Sequence, residues 1–472
     1  MRIALIVNNP ARDLAGLTLL ARELALRGAR VFLVPMALQR RELGALRPNF
    51  VLFNQLRPLN EKLVRDLKNA GCCIGVLDDE GGVFSSFDWY ERQMATNEKL
   101  RLSIDLFCAW GPKLAEYSAC TGWYAEKSIH ATGHPRFDFY APQWRDLQLP
   151  DAPNSSLFSH PLILINSRFS RANPAFGTPE DELQTLVKSR GFSLEAAREF
   201  QAQMHQALIA LAEMTNHLAR KFPDVNWVFR PHPFENLETY RRLLEPRANL
   251  TLSRDGEIGG WLRLADAVIH RSCTTAIEAG MLGIPALSPV WVPMPDVIES
   301  TESVSISIKN IEAMENAIIA LQQKTLERSA RIVAAHQSVV REYFGFDDGT
   351  NYRRVADAIL ATLQETPKVE TKKLDAIFAG AKPSAGVLRQ WRDKLKNRKR
   401  DLEREANWKT SAKYFDANQV RAICEVLARK PIADSPGQSE INVSKIKVSA
   451  AKETGDYQRK FSGRAVAISG NV

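Results

Sequence analysis

The sequence predicts an α/β protein made of two Rossmann-like domains that face a central cleft, followed by a helical and disordered tail. Two observations carry this. Short apolar runs, each the length of one buried strand, alternate with stretches of helical periodicity over residues 1–145 and again over 160–365. That alternation marks parallel βαβ units. After about residue 366 the pattern lapses into polar and basic sequence, which sets off 366–472 as a separate tail.

In the first half, residues 2–7 are a short apolar strand that breaks at Asn8-Asn9-Pro10. Residues 14–27 repeat apolar side chains at helical spacing and stop at Gly28. Strands follow at 31–35 and 49–53, a helix at about 60–70, then strands at 72–77, 105–110 and 127–132. Residues 141–160, rich in Pro, Asp, Asn and Ser, read as a linker, part of which can pack. The second series opens with a strand at 162–166. Residues 171–193 read as a loop insertion. Residues 194–221 read as a long helix, with Phe200, Met204, Ala207, Leu208, Leu211 and Met214 recurring at helical spacing. Strands at 227–230, 249–252, 267–270 and 286–287 alternate with helices near 237–244 and 274–282. In the tail, 389–400 is basic and helical in character, and 431–472 is expected to be largely disordered.

Bulk properties narrow the function classes. The six cysteines (Cys72, Cys73, Cys108, Cys120, Cys273 and Cys424) contain no CxxC pair, so no metal or redox motif is predicted. Four of them sit in apolar or strand-like runs, where a thiol acts as a small hydrophobe. A reduced, cytoplasmic protein is the simplest reading. No apolar run reaches the ~18 residues of a transmembrane helix, and the opening run is too short for a secretory signal. A net charge of +9 suits an anionic substrate or an anionic lipid surface. No stripe of basic residues interleaved with aromatics points to nucleic acid.

Parallel sheets bind ligands beyond the carboxyl ends of their strands, so the turns there are the candidate sites. Arg230-Pro231-His232-Pro233 follows one strand: the prolines stiffen the turn, Arg230 is a phosphate-binding type, and His232 can donate to a phosphate or move a proton. The plainer alternative is a histidine that caps a turn. In the stretch His270 to Gly280, Ser272, Thr274 and Thr275 open a helix where an anion would sit, and Glu278 lies one turn further on to hold ribose hydroxyls. Ordinary N-capping by Ser272 or Thr274 is the alternative. Asp78-Asp79-Glu80-Gly81-Gly82 places carboxylates at a strand end, with Glu80 a candidate acid or base; a solvated acidic turn is equally compatible. Gly133-His134-Pro135-Arg136-Phe137-Asp138 offers Asp138 as a nucleophile, or an Arg136–Asp138 structural pair. Arg168, just after the strand at 162–166, is placed to meet a carboxylate or phosphate. Trp89 and Tyr90 read as core aromatics or as acceptor-stacking residues.

Together these motifs resemble the bacterial surface-carbohydrate biosynthesis proteins of the GT-B glycosyltransferase type, and most of all the retaining β-Kdo transferases of capsule and lipopolysaccharide assembly. The resemblance rests on Asp79–Gly82, Gly133–Asp138, Arg230–Pro233 and Ser272–Gly280 and spans roughly residues 1–360. It departs at His134, where a small polar residue such as Asn is expected. It implies a nucleotide-sugar donor, CMP-Kdo or a related acidic sugar, bound by the second domain, and an oligosaccharide or glycolipid acceptor. His232 would help the CMP leave, Arg230, Ser272, Thr274 and Thr275 would hold phosphate, and Glu278 the ribose. Asp138 would be the nucleophile, Glu80 the acid or base, and Asp79, Arg136 and Arg168 substrate ligands. The type implies no catalytic metal and no cofactor beyond the donor itself.

Two other readings stay open. A hydrolysing UDP-sugar 2-epimerase, or a CDP-glycerol-type transferase, would share the fold and the Ser/Thr…Glu element. A non-catalytic membrane-docking assembly protein would use the basic segment 389–400 on an anionic inner-membrane surface, which is also compatible with an enzyme peripheral to that membrane.

Overall fold

The computed structural model of the chain describes residues 1–94, 97–154, 161–364, 414–429, 446–451 and 464–470. The basic segment 389–400 lies outside them. The first half forms β1 (Arg2–Val7), β2 (Arg30–Pro35), β3 (Phe50–Phe53), β4 (Cys73–Leu77), β5 (Leu106–Ala109) and β6 (Ile129–Ala131). The second forms β7 (Leu162–Asn166), β8 (Asn226–Arg230), β9 (Leu250–Leu252), β10 (Ala267–His270), β11 (Ala286–Pro289) and β12 (Ile306–Ile308). Near the C-terminus are β13 (Ile446–Ala450) and β14 (Val466–Gly470). Two sheets result, in the orders β13-β14-β2-β1-β3-β4-β5-β6 and β12-β11-β10-β7-β8-β9.

β1 sits inside the first sheet, parallel to both neighbours, with Leu5 opposite Leu33 on one side and Leu52 on the other. Side chains alternate across a strand, so Ile3, Leu5 and Val7 enter one core while Ala4 and Ile6 enter another. Burial on both faces is why these strands read as unbroken apolar runs. Helix α1 (Pro10–Leu26) starts directly after β1, with Pro10 in its first turn, ahead of the periodicity that begins at Leu14, and it ends just before Gly28 as predicted. The long helix is Leu194–Lys221, capped by Ser193, whose hydroxyl accepts the Ala196 N–H.

Part of the 141–160 linker packs, as expected, with Trp144, Leu147 and Leu149 buried. Three features differ from expectation. Residues 171–193 are not simply a loop: they contain the helix Pro179–Arg190, with Thr178 and Asp181 in a reciprocal capping box and Gly191 ending it at φ +73. Helix Asn351–Gln364, within the span 160–365 assigned to the second domain, crosses back and packs on α1, burying Tyr352, Val355, Ala356 and Ile359. Finally, within the polar tail, helix Ala417–Ala428 packs on α1, and β13 and β14 pair antiparallel and extend the first sheet at β2. Their apolar stretches are short and separated by polar sequence, so no periodicity revealed them.

Candidate active site in the interdomain cleft

The carboxyl ends of β1, β3 and β4 place a charged network at the cleft. Arg12, in the first turn of α1, pairs with Asp13 at 2.7 Å and with Asp79 Oδ2 at 3.0 Å. Asp79 Oδ2 also accepts from Asn8 Nδ2 (2.8 Å) and Asn54 Nδ2 (2.9 Å). Burial, reinforced by the Asp13 charge and opposed by Arg12, pushes Asp79 up to about 7. Glu80 behaves oppositely. Desolvation in the cleft favours its neutral form even though the side chain is 49% exposed, but the Arg57 guanidinium at 2.9 Å and the charge of Arg12 outweigh that and hold it down to about 2. Glu80 is therefore a carboxylate at neutral pH, able to accept a proton but not to deliver one. Arg136 reaches back to the Asp79 carbonyl at 3.3 Å and lies over the Trp110 and Phe137 rings, each 4.5 Å from its guanidinium carbon.

The glycines beside Glu80 serve packing. A Cβ on Gly82 would fall 2.2 Å from Trp110 Cε3, and one on Gly81 3.2 Å from the same indole. Trp110 is fully buried and donates to the Asp78 carbonyl at 2.6 Å. The turn is thus clamped to an aromatic anchor.

Across the cleft, His232 follows β8. Its Nδ1 accepts the Phe234 N–H at 3.2 Å, so in the neutral ring Nε2 carries the proton and is the donor. Burial, with the charges of Arg12 and Arg168, lowers it to about 4 against the pull of Glu80. His232 therefore feels groups from both domains. The turn that carries it is propped by Glu235, a buried carboxyl that accepts from Ser167 Oγ (2.6 Å), the Phe169 N–H (2.5 Å) and Tyr240 Oη. Between α1 and helix Thr275–Met281 lies a cavity lined by Arg12, Arg136, Tyr140, Glu257 and Glu278 among others. Tyr140 Oη donates to Glu278 Oε2 at 2.5 Å, which ties the two halves together at this point.

No family model and no curated protein sequence matches this chain. Solved structures do. A Listeria monocytogenes protein assigned as a UDP-N-acetylglucosamine 2-epimerase superposes with a TM-score of 0.50 at 14% identity, covering 78% of this chain and 98% of its own. The Staphylococcus aureus protein MnaA, solved with UDP, does so with a TM-score of 0.50 at 13% identity, covering 78% and 99%. The fold is GT-B.

The GT-B cleft brings together some predicted residues and not others. Arg136 and Glu278 line the cavity with Arg12, which pairs with Asp79 behind it; Glu80, His232 and Arg168 share one electrostatic neighbourhood. Arg168 meets the carboxylate of Asp296 at 2.5 Å. Thr274 is half-buried at the start of its helix, while Thr275 Oγ1 accepts Asn166 Nδ2 at 3.0 Å. Three residues are committed elsewhere. Asp138 is fully buried, and its two oxygens accept the N–H groups of Asn351 and Tyr352, both at 2.8 Å. It caps helix Asn351–Gln364 instead of presenting a nucleophile. Ser272 is fully buried, with its N–H and Oγ both bonded to Glu302 Oε1 (2.9 and 2.8 Å), so it is not a phosphate ligand. Arg230 spends its guanidinium on the Asp255 and Gly256 carbonyls (2.6 and 3.1 Å) and lies over Trp261; it holds the loop that carries Glu257. Sequence reading missed Arg12, Tyr140 and Glu257. Arg12 had a signal, since it opens the helix after the first strand; the other two had none.

Proposed function

We propose that this chain is a nucleotide-sugar-dependent glycosyltransferase acting on a surface polysaccharide or glycolipid acceptor, with CMP-Kdo or a related acidic sugar as donor. The observation that supports it is the convergence of Arg12 and Arg136 from the first domain with Glu278 from the second on one cavity, beside His232 and Glu80. Glu278 would hold the ribose hydroxyls after exchanging its bond to Tyr140. Arg12 and Arg136 would face the carboxylate of an acidic sugar. His232 Nε2–H would donate a hydrogen bond to the phosphate as its charge grows. Glu80, already ionised, would accept the proton of the acceptor hydroxyl as that oxygen bonds to the anomeric carbon and the bond to the nucleotide phosphate breaks. With Asp138 capping a helix, the covalent-adduct route implied by the resemblance loses its assigned nucleophile.

The test is calorimetric binding of CMP, CDP, UDP and UMP to the full chain and to His232→Ala and Glu278→Ala. CMP binding that is selective and lost in both variants is expected. Preference for UDP, with UDP released from a UDP-sugar in the absence of acceptor, would replace this reading with the 2-epimerase named for one of the similar folds.

A further inference from the structure

Beyond the nucleotide cavity, the two domains meet at a second charged surface. Trp89, on helix Phe87–Met94 of the first domain, is half-buried. Two guanidiniums of the second domain lie on its indole: Arg171 at 5.8 Å and Arg190 at 5.7 Å from the ring centroid. Phe192 supports the indole edge-on at 6.0 Å. Arg57, from the loop after β3, and Glu80 adjoin the same region, because Arg190 feels the charges of both.

This arrangement exceeds what packing requires. A cation at a helix C-terminus is ordinary, and Arg190 ends its helix. Yet its Nε is buried with no hydrogen-bond partner among the described residues, and so is that of Arg57. Burial and the repulsion of Arg171 and Arg57 outweigh the nearby carboxylates Glu80 and Glu182 and push Arg190 down to about 10. Arg171 is only loosely paired, 3.8 Å from Glu182. Guanidiniums fixed against an aromatic face keep their forks oriented, and an oriented fork recognises carboxylate or phosphate bidentately. An anion arriving here would pair with the guanidiniums of Arg171 and Arg190 and relieve cation–cation repulsion.

We infer that Arg171 and Arg190, held on Trp89, form a subsite for an anionic group of the acceptor, the carboxylate or phosphate of an acidic saccharide. The acceptor role rests on the glycosyltransferase reading above; the anion site itself does not. The subsite lies beside Glu80, so an acceptor anchored here would present a neighbouring hydroxyl to the proposed base.

The experiment uses the full chain in about 20 mM salt, where charge pairing is least screened. Tetragalacturonate, glucose 1-phosphate and the neutral maltotetraose are titrated calorimetrically into wild type, Arg171→Gln, Arg190→Gln and the double variant, with and without CMP. Melting curves check that each variant is folded, and the single variants keep the test alive if the double one unfolds. Binding of tetragalacturonate or glucose 1-phosphate is expected, weakened about ten-fold by the double substitution and less by each single one, with no comparable maltotetraose binding. Tetragalacturonate alone would identify a carboxylate ligand, glucose 1-phosphate alone a phosphate. Equal binding by folded variants, by maltotetraose, or no binding by either anion overturns the subsite. CMP failing to bind while the arginine dependence persists removes the glycosyltransferase reading and leaves the subsite standing.

Discussion

Replacing Asp138 separates a helix cap from a nucleophile. Its carboxylate accepts two backbone N–H groups at 2.8 Å from the start of helix Asn351–Gln364, which lies on α1 and joins the second domain back to the first. Asp138→Ala removes the cap and so strands two buried N–H groups, at about 1–3 kcal/mol each. Relief from burying the carboxyl, which is pushed up to about 8 by that burial, offsets part of this. A net loss of about 3 kcal/mol follows, and a melting point lowered by about 3–4 °C for a chain of this length. Asp138→Asn keeps one acceptor and turns an N–H₂ toward the other backbone donor, so about half the loss remains. The assay is thermal and urea unfolding, followed by nucleotide-sugar turnover at a temperature where each variant is folded. A nucleophile predicts the reverse pattern: Asp138→Asn would melt like wild type and lose turnover by orders of magnitude. That pattern would refute the capping assignment.

Three further outcomes are expected. Gly82→Ala should destabilise by about 1–3 kcal/mol, read as a lowered melting point, because its Cβ meets the buried Trp110 ring at 2.2 Å and that ring is pinned by its bond to Asp78; Gly81→Ala, at 3.2 Å, should be milder. Burial pushes Glu235 up to about 7 against its bonds from Ser167, Tyr240 and Phe169. Its folded value lies above its unfolded one, so the protonated group supports the fold below about pH 4.5 and that support is lost as pH rises through 7. The unfolding free energy from urea curves should fall between pH 5 and pH 8 by up to about 3 kcal/mol more in wild type than in Glu235→Gln. His232→Ala should weaken nucleotide binding about ten-fold or more, as expected for a lost hydrogen bond to a charged group. Because His232 is lowered to about 4, wild type and His232→Ala should show the same pH dependence of affinity between pH 5.5 and 8, any break near 7 belonging to Asp79; a break near 6.5 present in wild type and absent from His232→Ala would contradict a neutral donor ring.

Much of the scaffold was legible because its signals are local. β1, β7 and β10 end where the apolar runs end, and helix Leu194–Lys221 spans its periodic face. The helix Pro179–Arg190 reads as a loop, although its signals are local too: Thr178-Pro179-Glu180-Asp181 starts it and Gly191 ends it. β13 and β14 were not legible: five-residue strands in a polar tail are stabilised by the edge of β2, more than 400 residues away in sequence, and no local window contains that edge.

The same distinction governs the site. The sequence by itself determined the parallel strands and the turns at their carboxyl ends, because a strand buried on both faces must be apolar and the turn after it must supply polar groups. Only the tertiary structure decided which polar side chains remain free for chemistry. Asp138 and Ser272 look as available in sequence as Glu278, yet one is bonded by a helix start 213 residues away and the other by Glu302, 30 residues on. Glu278 instead meets Tyr140 across the cleft, and Arg171 and Arg190 meet Trp89. A hydrogen bond or an ion pair is set by where two chain segments come together in space, and neither segment records its partner.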